Sequence, residues 1–159
     1  MQIVRGLDEE FTRLGVRSLA LVRALPPERL YWQPPGGRER FFPLYSCGEH
    51  VLRAAAAVEQ TFGGITVNLW DDPFEWTLPE SLPDAESVVG YLEEAEETRR
   101  RAFSFFRADD DLSREIATPS GRMRTLFSLV VETLARASHH QGRAYATFRL
   151  FSDARLPEV

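Results

Sequence analysis

The chain has no lysine, a single cysteine and three histidines among its 159 residues. With Cys47 alone no internal disulfide can form, which excludes the cross-linked frameworks of small secreted domains. Without lysine, arginine supplies every strong cation, and the formal net charge of −5 argues against nucleic acid as a partner. Apolar runs stay far below the ~18 residues that a spanning helix needs, so no membrane partner is expected. Residues 1–5 carry no apolar core of a signal peptide, which makes the cytoplasm the expected compartment. A convincing strand pattern is also missing.

What is present is the composition of an ordinary globule, 43% hydrophobic and 27% charged, enough for one domain over residues 1–159. Four helical segments are predicted. The first covers residues 3–25, where Val4, Leu7, Phe11, Leu14, Leu21 and Leu25 recur at helical spacing and Pro26-Pro27 ends the run. The second opens on the capping box Ser46-Cys47-Gly48-Glu49 and is expected to stop near Phe62, before Gly63-Gly64. A third is predicted from Asp84 to residue 107 and a fourth over residues 125–151. Asp109-Asp110-Asp111 interrupts the third, and Thr118-Pro119-Ser120-Gly121-Arg122 reads as a turn. Four apolar stripes predict an all-α four-helix bundle. Arg99-Arg100-Arg101 follows an acidic run on the third helix, and the cluster reads as a solvated face with i,i+4 pairs from Glu96 and Glu97.

The histidines are the residues to weigh. His50 falls in the first full turn of the second helix and shares its face with Cys47, Ala54, Ala57 and Thr61. Small neighbours beside an inward histidine suggest a pocket. His140 lies at the edge of the apolar stripe Phe127, Val130, Leu134, Ala137, Tyr145 and Phe148, whereas His139, about 100° away, reads as a surface residue. His50 and His140 either face each other across an internal pocket or are satisfied residues at the edge of the core. Trp70, Phe74 and Trp76 interleave with acidic residues in the longest irregular stretch. They would cap the bundle end, line a pocket mouth or enter a dimer interface.

Leu25-Pro26-Pro27-Glu28-Arg29-Leu30-Tyr31-Trp32-Gln33-Pro34-Pro35-Gly36 resembles the segment after the first helix in DinB-like proteins, the DinB/YfiT-like four-helix-bundle metalloenzymes. His50 stands where that family has a histidine early in its second helix, and His139-His140-Gln141-Gly142-Arg143-Ala144 resembles its fourth-helix pattern. The resemblance spans almost the whole chain in element order. It implies a homodimer and a divalent metal, zinc or nickel, held by three histidines, two of them His50 and His140. It also implies a metal-dependent transferase or hydrolase-like enzyme acting on a small molecule, of the thiol-transferase type.

The third ligand should fall four residues before His140, and that residue is Arg136. A guanidinium has no lone pair to donate to a metal. Cys47, one turn before His50, is the alternative third donor, although a lone cysteine among alanines also reads as a small buried residue. Arg136 could instead receive a carboxylate or phosphate with its planar fork, reach outward, or pair with Glu132. Beside the enzyme stands a second reading, a degenerate, metal-free module that binds a small molecule, or a stress-related dimeric bundle.

Overall fold

The computed structural model describes residues 1–35, 44–73 and 79–155. Four helices carry it: α1 (Gln2–Ala24), α2 (Cys47–Val67), α3 (Ala85–Phe103) and α4 (Leu126–Phe148). Short 3-10 turns lie at Pro27–Arg29 and Asp109–Ser113. The described part is mostly helical, of the all-α class, and no helix in it is long and apolar enough to cross a membrane.

Two apolar clusters fix how the helices run. One joins Leu21 and Leu25 at the end of α1, Val51 near the start of α2, Val88 near the start of α3, and Ala144 and Phe148 at the end of α4. The other joins Val4 and Phe11 to Phe62, Phe103, Leu126 and Val130. Helices α1 and α4 therefore point one way, and α2 and α3 the other. Helix α2 packs mainly on α3 and α4, and α1 packs on the same two from across the diagonal. Parallel neighbours such as α2 and α3 need a connection that returns along their length, which explains the long stretch 68–84 between them.

Helix starts follow local chemistry. Ser46 Oγ accepts from the Glu49 amide at 3.2 Å while Glu49 accepts from the Ser46 amide at 2.7 Å, so the expected capping box forms. Asp84 caps α3 through the Ser87 amide at 2.8 Å, and Thr125 caps α4 through Ser128 at 3.2 Å. Helix α1 has no side-chain cap from its own sequence. Asp109, in the turn after α3, accepts from the Gln2 and Val4 amides at 2.9 and 3.0 Å. The Val4 amide is the main reason the Asp109 carboxyl is lowered to about 2. The aspartate run after α3 thus also closes α1.

Several boundaries differ from the sequence expectation. Helix α2 continues through Gly63-Gly64 to Val67 and ends on Asn68, whose φ of 56° is the left-handed cap. The glycine is needed for closeness instead: a Cβ on Gly64 would lie 2.4 Å from the Trp70 indole. Helix α3 stops at Phe103, where i→i+3 bonds from Phe105 and Phe106 tighten the last turn. Helix α4 stops at Phe148, and Phe151 folds back to pack edge-on against Trp32, centroids 5.3 Å apart. Strands also form: β1 (Glu115–Ala117) and β2 (Met123–Thr125) pair antiparallel around the Thr118–Arg122 turn. Three residues per strand are too few to show alternation in a sequence.

The core-facing side of α4 is likewise shifted. Leu126, Val130, Thr133, Ala137, Gln141, Ala144 and Phe148 are buried, while Phe127 is 46% exposed. Arg99 departs furthest from a solvated face. It is 2% exposed, bound to Glu96 through Nε at 2.9 Å and Nη2 at 2.6 Å, to Asp8, and to Thr12 at 3.2 Å. Burial alone pulls its pKa down, but the Glu96 and Asp8 carboxylates reverse that and hold it above the ordinary arginine value.

Candidate functional site

The first turn of α2 is clamped in place. The Gly48 amide donates to the Leu30 carbonyl at 2.8 Å, and a Cβ there would lie 2.7 Å from the Tyr31 ring. Tyr31 in turn donates its hydroxyl to the Leu82 carbonyl. His50, one turn of helix in from the cap, is only 4% exposed.

Across from it, on α4, stands half-buried His140, and the two Nδ1 atoms are 3.4 Å apart. One imidazole donates and the other accepts, an arrangement open only to neutral rings or to a singly protonated pair. The surroundings favour the neutral form. Burial first, then His140, Arg143 and Arg53, lower the His50 pKa from 6.5 to about 4. For His140 burial leads again, followed by His139, Arg53, Arg136 and Arg143, with the same result of about 4.

The expected pair is therefore in contact, but its neighbours are not those the sequence suggested. Cys47 is fully buried, its thiol donates to the Ala144 carbonyl at 3.2 Å, and burial pushes its pKa up to about 12. The thiol is turned to the α4 backbone, and among the described residues Cys47 does not join the two histidines in a group that could hold a metal ion. Ala54 to Ala57 are all buried, Ala54 in one apolar cluster and Ala55 in the other. Their small side chains let α2 sit closely between α3 and α4. Arg136 is exposed and reaches neither His50 nor Glu132; its Nη2 donates to Gln60 Oε1 on α2 at 3.1 Å. Glu132 pairs with Arg124 at 2.7 Å instead. His139 is exposed, as expected.

Three further residues shape the site. Tyr45 meets His50 edge-on, with centroids 5.5 Å apart, and the Arg53 guanidinium lies 4.0 Å above the Tyr45 ring. Both could have been found by position, since Tyr45 precedes the cap and Arg53 lies three residues after His50 on the same helix. Gln141, next to His140, is buried and donates to the Leu14 carbonyl at 2.7 Å and Ser18 Oγ at 2.8 Å. It ties α4 to α1 and does not face the histidines' partner helix. Of the three aromatics singled out in the irregular stretch, Trp70 is half-buried against Gly64, and Phe74 and Trp76 lie outside the described residues.

As a metal centre the site is half built. Two ligands at 2.0–2.1 Å from a tetrahedral zinc lie about 3.4 Å apart, the separation of the two Nδ1 atoms. Among the described residues, however, no group of three or more His, Cys, Asp or Glu side chains could hold a metal ion. No protein-family model matches the chain, and no curated protein or solved structure matches it either.

Proposed function

We propose that this chain is a DinB-like four-helix bundle that binds a small anionic molecule at the His50–His140 pair without a resident three-histidine metal. The observation that carries this reading is the pair itself: two imidazoles 3.4 Å apart, kept neutral by burial and by Arg53, Arg136 and Arg143 nearby. A field of guanidiniums opposes a divalent cation and stabilises an anion, and a neutral imidazole N–H is a suitable donor to it. Arg136 occupies the place of the third ligand and cannot coordinate. A role of the bundle in stress, a homodimer and a cytoplasmic location accompany the resemblance. Exposed Phe127 and Val131, one turn apart on α4, offer apolar surface for such a dimer.

The metal-dependent, thiol-transferase reading stands second, favoured by the tetrahedral-edge separation of the two Nδ1 atoms. In that reading His50 and His140 would hold zinc or nickel, which when bound supplies Lewis-acid activation of a thiol. Metal analysis decides between the two. Purified protein is expected to hold divalent metal at background level, with thermal stability unmoved by zinc or chelator. Arg136→His is expected to create zinc binding that His50→Ala then removes. Near-stoichiometric metal in the unaltered protein, lost in His50→Ala, would overturn the metal-free reading and install the second.

A further inference from the structure

Away from the histidine pair, α2, α4 and the turn between β1 and β2 enclose a cleft of about 260 Å³ that neither His50 nor His140 lines. Arg124 and Arg136 bring two positive charges to it and Glu132 one negative, so its walls carry a net +1. The Arg124 charge is already answered: Nη2 binds Glu132 at 2.7 Å, and Nε donates to Ser128 Oγ at 3.3 Å. Arg136 has only a neutral partner, Gln60 Oε1 at 3.1 Å, and no carboxylate pairs with it among the described residues.

Gln60 also spends its other end, since Nε2 donates to the Trp70 carbonyl at 3.0 Å. A relay from Trp70 through Gln60 thus holds the Arg136 guanidinium against the wall. Fixing it in advance reduces the rotamer entropy an arginine loses when it binds. One N–H of the planar fork is committed to Gln60, and the others remain for a ligand. The floor offers little competition as a donor: the Thr61 and Thr133 hydroxyls meet at 2.7 Å, and Thr133 donates to the Leu129 carbonyl at 2.8 Å. Trp70, Pro119 and Leu129 supply the apolar part of the lining.

We infer that this cleft binds a small organic carboxylate, with Arg136 receiving the carboxylate and Trp70 flanking the apolar body. A single uncompensated charge matches one carboxylate and not a polyphosphate, and the volume admits a molecule about the size of a substituted benzene ring.

Benzoate is the probe, with benzamide as its neutral counterpart and inorganic phosphate as the competing anion. The Trp70 indole N–H resonance, identified by its loss in Trp70→Phe, reports occupancy of the cleft, and calorimetry gives an affinity that does not depend on that assignment. Benzoate is expected to shift the resonance saturably and benzamide not to. Arg136→Gln should weaken benzoate at least about tenfold, the loss of one charge-assisted interaction, and Gln60→Ala should weaken it less. Both residues sit at the protein surface, and circular dichroism confirms that the variants fold. His50→Phe, which alters the histidine pair but no part of this cleft, should leave benzoate binding unchanged, and loss of binding in that folded variant would place benzoate at the histidines instead. An equal response to benzamide, or an affinity unchanged in folded Arg136→Gln, would overturn the site. Binding of phosphate in place of benzoate would overturn its assignment to carboxylates.

Discussion

The α1–α3 and α2–α4 interfaces both bury ionisable groups, and they do so in opposite ways. Between α1 and α3, Arg99 is buried as a cation and answered by Asp8 and Glu96. Between α2 and α4, buried His50 and half-buried His140 lie near the Arg53 and Arg143 cations, and burial first, then those charges, keeps the rings neutral. A buried charge with its counter-ions in place is a finished structural joint. A neutral imidazole pair keeps its N–H donor and its lone pair near neutral pH, and that difference is why the proposed function is placed at the histidines.

The largest effect is expected at Arg99. Arg99→Ala removes the buried cation and its packing while Asp8 and Glu96 keep access to solvent, and it is expected to cost about 3 kcal/mol by urea denaturation. A smaller effect follows from pH at the histidines. Their ordinary pKa is 6.5 and their folded value about 4. Between those values the unfolded chain takes up protons that the native pair refuses. Stability is therefore complete above 6.5, falls as pH drops through this window and is fully lost from the pair below 4. The expected loss is on the order of 2 kcal/mol once solvent access at His140 is allowed for. Urea midpoints measured from pH 7 to 5, in the unaltered protein and in His50→Phe, read this directly; a slope not reduced by the substitution would assign it elsewhere.

Gln141→Leu tests a third kind of buried polar group, neutral and paired through both bonds of its amide nitrogen. It is expected to lower stability by about 1 kcal/mol with no change in the pH slope. The smallest effect belongs to Arg100, next to Arg99 in sequence but 60% exposed with partners Glu96 and Glu97. Arg100→Ala should stay within about 0.5 kcal/mol of the parent in the same denaturation series. Comparable losses at Arg99 and Arg100 would erase the contrast drawn between the two interfaces.

The helix starts were legible because their causes are local. Ser46 and Glu49, or Asp84 and Ser87, lie three residues apart, and the α1 stripe from Val4 to Leu25 repeats at the period of the helix. The pairing of His50 with His140 was also within reach, since each sits on the side of its helix that meets the other. The three consecutive arginines illustrate the limit. Nothing local separates Arg99 from Arg100, yet Asp8, 91 residues away, turns one of them into core.

The local pattern alone set the four helices, the starts of α2 and α3, the apolar stripe of α1 and the two histidines worth watching. Tertiary structure alone decided that α2 runs through Gly63-Gly64 so that Trp70 can lie against it, and that Asp109 closes a helix 105 residues earlier at Val4. It also decided that Arg136 turns to Gln60 and not to Glu132. The reason is common to all three. Period and capping are set by neighbours within one turn, whereas the partner of a long polar side chain, or the space beside a glycine, is set by whichever distant segment packs there.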